Sequence, residues 1–144
     1  MLSTTSQYAI RALSCLATHE QEPVGGRDLA ERTGVPASYL SKILLDLNRA
    51  GLVEATRGIG GGYRLARPPS EIFLMEVIDP LEKVSRLGDC IMGRPECSEE
   101  SSCSVHDWWK RVRNDYLEML QRTSLAQVIG GEGASSGSAA GDTT

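Results

Sequence analysis

The chain has 144 residues, 40% of them hydrophobic, and a formal net charge of −4. That composition allows one modest core with an extension, and its acidic balance argues against a protein that coats nucleic acid indiscriminately. No apolar run approaches the roughly 18 residues of a membrane span, and the opening Met1-Leu-Ser-Thr-Thr lacks the basic and apolar regions of a signal peptide, so a cytoplasmic protein is expected.

Residues 3–19 predict an amphipathic helix, with Tyr8, Ala9, Ala12, Leu13, Leu16 and Ala17 at helical spacing and Pro23 and Gly25-Gly26 beyond its end. Cys15 falls among these apolar positions and is expected in the core, whereas His19 has no evident partner and is expected on the surface. A short helix over 27–33 stops at Gly34, and Val35-Pro36 turns the chain. A third helix over 37–50 places Tyr39, Leu40, Ile43, Leu44 and Leu47 on its inner side, with Gly51 closing it. Two short helices joined by a tight turn make a helix-turn-helix, whose second helix enters the DNA major groove. Two β-prone stretches, 52–56 and 63–66, then flank Arg57-Gly-Ile-Gly-Gly-Gly and predict a hairpin with a glycine-rich tip. The fold expected is mainly α: a winged helix-turn-helix over 1–69 with a small β-hairpin wing.

Beyond Pro68-Pro69, Ser70 can cap a helix over 71–78, and residues 84–104 read as a polar loop holding three cysteines. A long helix over 105–121 follows, with Val105, Trp109, Val112, Tyr116 and Met119 on one stripe, widened by Trp108, Leu117 and Leu120. That apolar surface exceeds what one small domain needs to cover, so a homodimer through 105–120 is expected. A brief segment over 123–129 completes a second region, 70–129, and the Gly/Ser/Ala-rich residues 130–144 are expected to be a disordered tail.

Charge divides along the same line. Residues 1–69 hold eight Lys/Arg against six Asp/Glu, residues 70–144 seven against thirteen, so only the first region suits phosphate. The third helix offers Ser38, Ser41, Lys42, Asn48 and Arg49 on its polar side and Tyr39 near its start, groups able to bond base edges or phosphates. Arg57 and Arg64 flank the wing, where an arginine can enter the minor groove or hold a phosphate. The same fold also serves as a protein-binding adaptor, the alternative from another class. A nucleotide-binding reading of the glycine run fails for want of Gly-Lys-Ser/Thr and a following helix. No acid/base pair or activated nucleophile stands at a recognisable motif, so an enzyme is not expected.

Six residues separate Cys90 from Cys97, five separate Cys97 from Cys103, and two separate Cys103 from His106. Soft thiolates with an imidazole suit an iron–sulfur cluster or Zn, and a thiol-redox switch needs only the cysteines; spacing alone leaves these open.

Three segments then carry a resemblance: Gln7-Tyr-Ala-Ile-Arg-Ala-Leu, Val35-Pro-Ala-Ser-Tyr-Leu-Ser-Lys-Ile-Leu and Gly51-Leu-Val-Glu-Ala-Thr-Arg-Gly-Ile-Gly-Gly-Gly-Tyr. With the three-cysteine loop, they make residues 1–129 resemble the IscR/NsrR-type iron–sulfur regulators of the Rrf-two family. The resemblance implies a cytoplasmic homodimer joined through the long helix, which binds promoter DNA as repressor or activator according to cluster state. It implies Cys90, Cys97, Cys103 and His106 as ligands of an iron–sulfur cluster, 2Fe–2S rather than 4Fe–4S. Members with 4Fe–4S take an acidic ligand from the partner's N-terminal helix, where this chain has Gln7 and no carboxylate before Glu20. It also implies DNA contacts by Ser38, Tyr39, Ser41, Lys42 and Arg57, with Ser41 standing where some members carry a Glu that tunes operator choice.

Overall fold

The computed structural model describes residues 2–87, 90–93 and 103–134. Helix α1, Thr4–Ala17, begins at Ser3, whose side chain accepts the Ser6 N–H at 3.1 Å, and buries Ala9, Ala12, Leu13 and Leu16 at the expected spacing. Helices α2, Gly26–Thr33, and α3, Ala37–Arg49, form the helix-turn-helix, joined across Gly34 in the left-handed region. Leu40, Ile43, Leu44 and Leu47 turn into the core, so helical periodicity alone determines which side of α3 remains for a ligand.

Strands β1, Val53–Thr56, and β2, Gly62–Leu65, pair antiparallel with Glu54 opposite Arg64 and Ala55 opposite Tyr63. The sequence reading missed a third extended element. Val24 bridges Tyr63, each donating its N–H to the other's carbonyl at 2.9 and 2.8 Å. Gly62 makes this approach possible: it has φ +148, and a Cβ there would lie 2.6 Å from the Val24 carbonyl carbon.

The region after the wing departs from expectation. In place of one helix over 71–78, a 3₁₀ turn, Pro69–Glu71, precedes α4, Leu74–Glu82. The intervening residues are drawn into a distant pairing: Leu125 donates to the Ile72 carbonyl at 2.7 Å and Leu74 to the Thr123 carbonyl at 2.9 Å. Glu76 then caps α4 by accepting the Phe73 N–H at 3.0 Å. Helix α4 ends at Lys83 in the left-handed region, and a second 3₁₀ turn, Val84–Arg86, follows.

Helix α5, His106–Arg122, is the long helix expected, and α6, Leu125–Ala134, follows it. Ser124 and Gln127 exchange side-chain bonds with each other's N–H at 3.1 and 2.8 Å, a capping box that starts α6. The helix takes in residues 130–134, which correct that part of the expected disordered tail. Its cap and the fully buried Leu125 start the helix, and propagation then adds one hydrogen bond per residue. The remainder of the tail lies outside the described residues.

Leu120 and Leu125 share one core with α1, α3 and α4, so the two expected regions are packed together. Among the described residues no helix is long and apolar enough to cross a membrane.

Candidate nucleic-acid interface and cysteine segment

The outward side of α3 presents Ser38, Ser41, Lys42 and Arg49 to solvent, with Tyr39 40% exposed. Ser41 donates to the Ala37 carbonyl at 3.1 Å, which leaves its oxygen able to accept from a base or backbone group. Tyr39, expected to serve both core and DNA, stands at the rim between α3 and α1. Its hydroxyl is hydrogen-bonded to Thr5 Oγ1, and its ring meets Tyr8 edge-on at 5.5 Å and 88°. Asn48 is committed to the fold, donating its amide to the Val53 carbonyl at 2.9 Å and so tying α3 to the wing.

Arg57 stands exposed at the wing, beside the fully exposed Ile59. The reading of Arg64 as a second wing contact meets a different placement. Neighbouring strand residues point to opposite sides of a hairpin. Tyr63 lines a hollow of about 270 Å³ with Ser41, Leu44, Leu45 and Asn48, whereas Arg64 lines another of about 280 Å³ with Glu20, Arg67 and Pro68-Pro69. Arg64 is therefore not gathered with Ser38, Ser41 and Lys42. Tyr63 lies beside Ser41, and strand alternation in Tyr63-Arg-Leu was the signal that could have found it.

His19 also differs from expectation. It is half-buried, its Nδ1 lies 2.9 Å from the Cys15 carbonyl and from Thr18 Oγ1, and Arg32 bonds its Nε2. Arg32 in turn pairs with Asp28 at 3.0 Å, so α2 supplied the partners that linear sequence hid. Cys15 is half-buried at the edge of the core. Burial pushes its thiol pKa up, partly offset by the Arg32 charge and reinforced by Asp28, which disfavours the reactive thiolate.

In the cysteine segment, Cys90 is buried and opens a turn closed by Gly93, whose N–H reaches the Cys90 carbonyl at 3.0 Å. Cys103 is half-buried just before α5, where its carbonyl accepts the His106 N–H at 3.1 Å. His106 is itself buried in the first turn of α5. Cys97 lies outside the described residues. Cys90 and Cys103 are thiols rather than disulfides, and among the described residues no group of three or more acidic, thiol or imidazole side chains could hold a metal ion. The donor chemistry nevertheless fits a soft, anionic centre. Two thiols and an imidazole are sheltered from water, and the positive end of a 17-residue helix begins beside Cys103 and His106. Gln7 is exposed and donates to the Leu2 carbonyl at 2.9 Å.

The stripe expected along α5 is divided. Leu120 is buried in the chain's own core, while Trp109 and Tyr116 border a hollow of about 320 Å³ with Glu82, Val84 and Leu87. Val105, Trp108, Val112 and Met119 remain between 42% and 66% exposed and continue one helical face.

The same fold occurs in known regulators. The helix-turn-helix transcriptional regulator IscR of Aliivibrio salmonicida is 34% identical over 129 residues, covering 89% of this chain and 76% of that protein. The solved structure of T. potens IscR matches with TM-score 0.74 and 30% identity, over 98% of this chain and 93% of that one. CymR, the global cysteine regulator of B. subtilis, matches with TM-score 0.75 and 26% identity, over 90% and 96% respectively. The sequence model of the Rrf2 family of iron-dependent transcriptional regulators matches residues 2–131, and the chain belongs to that family.

Proposed function

We propose that this transcription regulator is a cytoplasmic homodimer that binds promoter DNA under the control of an iron–sulfur cluster. The observation that carries the proposal is the pairing of a winged helix with a buried Cys90 and with buried His106 and half-buried Cys103 at the start of α5. Thiolates of Cys90, Cys97 and Cys103 and the imidazole of His106 would hold the cluster, 2Fe–2S being the better fit to one imidazole and no N-terminal carboxylate. A bound cluster would supply sensitivity to iron supply, oxygen or redox state. The chain's own part is to shield these donors and to present Ser38, Tyr39, Ser41, Lys42 and Arg57 to DNA, with Arg64 behind the wing.

Anaerobic purification with iron and sulfide analysis tests the proposal. Brown protein with matched iron and sulfide is expected. Cys90→Ala, Cys97→Ala and Cys103→Ala should each abolish stable cluster binding. His106→Ala should weaken binding or alter the visible spectrum, and Cys15→Ala should change neither.

A second reading, a thiol or Zn switch on the same winged helix, is favoured by the equally close fold match to the cysteine regulator CymR. Colourless, iron-free protein that retains salt-sensitive DNA binding would select it. Protein without any affinity for DNA would leave a protein-binding adaptor instead.

A further inference from the structure

The first two turns of α1 are held from two sides. On one side stands Glu82, the last residue of α4, whose carboxylate accepts the Ser3 N–H at 3.1 Å. Burial would raise the Glu82 pKa, but hydrogen bonding from Ser3, above all its N–H, holds it below the ordinary carboxylate value. Tyr116 of α5 faces the same carboxylate, and its phenol is raised by burial and by the Glu82 charge. Glu82 therefore stands where α1, α4 and α5 meet, just before the Val84–Arg86 turn that leads into the cysteine segment.

On the other side stands Tyr39. Thr5 bonds its hydroxyl, and Tyr8, one turn further along α1, packs edge-on against its ring at 5.5 Å. Arg11 continues the row, stacking 5.4 Å from the Tyr8 ring centre and donating to the Thr33 carbonyl at 3.0 Å. Tyrosine has two side-chain torsions, and a ring contact plus a hydroxyl bond are enough to select one setting. Tyr39 keeps 40% of its surface exposed on the DNA side of α3 while α1 determines where that surface points.

We propose that Thr5 and Tyr8 are positioning residues for Tyr39 in DNA reading, and that Glu82 positions their helical turn. A shift of the C-terminal end of α4 would then be felt at the reading helix through α1, without any contact between Glu82 and DNA. This inference rests on the DNA-binding reading and is independent of which centre the cysteines hold.

The test uses the purified full chain and a duplex selected by the wild type from a random-sequence pool, with affinity measured by fluorescence anisotropy. Thr5→Val and Tyr39→Phe should each weaken binding by about three- to tenfold, and the double variant by no more than the larger single effect. Thr5→Ser, which restores the hydroxyl, should recover wild-type affinity. Glu82→Gln should weaken binding in the wild type and have no effect in a Tyr39→Ala background. Thermal midpoints measured in parallel separate lost positioning from lost folding, and Thr5→Ser against Thr5→Val remains informative if Glu82→Gln unfolds. Additive losses, or unchanged affinity in Thr5→Val, would overturn the positioning role while DNA reading stands. Failure of the wild type to enrich any duplex would overturn the DNA reading itself.

Discussion

Single residues decide whether the wing can be built. A Cβ on Gly61 would lie 2.2 Å from the Thr56 carbonyl oxygen, which is backbone and cannot rotate away. Gly61→Ala should therefore destabilise the chain by about 1–3 kcal/mol, measured by urea unfolding. Ile59→Ala, at a fully exposed position nearby, should leave stability unchanged. DNA affinity separates two further residues by their chemistry. Arg57→Ala should cost about 1–3 kcal/mol on a selected duplex if the side chain meets a groove edge. Lys42→Ala should lower affinity across all sequences and make the salt dependence shallower, as expected when a phosphate contact is lost. Salt titration of both variants checks the distinction.

At the scale of elements, α4 shows how a distant pairing fixes a boundary. Ile72 and Leu74 are occupied with Leu125 and Thr123, so the helix starts only at Leu74 and needs a cap at Phe73. Glu76 supplies it, and Arg67 pairs with the same carboxylate at 2.7 Å. Burial would raise the Glu76 pKa, but the Phe73 N–H and Arg67 together bring it below its ordinary value. A carboxylate with a lowered folded pKa stabilises the fold above its unfolded pKa, and that contribution is lost as pH falls through the folded value. Acid unfolding below about pH 4.3 should therefore be flatter in Glu76→Gln than in the wild type. At neutral pH the same change should cost about 1 kcal/mol or less, because the pair is partly exposed. Chemical denaturation across that pH range measures both effects.

The molecule as a whole leaves one face of α5 uncovered. Val112, 57% exposed, lies between Trp108 and Met119 on that face, while Leu120 on the other side holds α5 to the core. Val112→Glu should leave the chain folded, because the site is already open to water. In a dimer it would place two like charges in one apolar contact, so light scattering should show the wild type as a dimer and the variant as a monomer. The variant should also lose the affinity that comes from reading two half-sites about one helical turn, or roughly 34 Å, apart.

The helix-turn-helix and wing were legible in the sequence because apolar spacing, Gly34 and the glycine run act over a few residues. Cys90, Cys97, Cys103 and His106 stood out as candidate donors for the same reason, as local spacing of distinctive side chains. Other features depended on segments that meet only after folding. Nothing near Val24 in the chain announces its pairing with Tyr63, and nothing near Ile72 announces Leu125. His19 read as an isolated surface residue until α2 brought Arg32 to it. Hairpin register decided that Arg64 stands apart from α3 and Tyr63 beside it. The sequence by itself determined which residues turn inward and which chemistry the chain carries, since both follow from local period and side-chain type. Tertiary structure decided which exposed groups share a surface, and what sets the angle of Tyr39, because those depend on how separate elements pack.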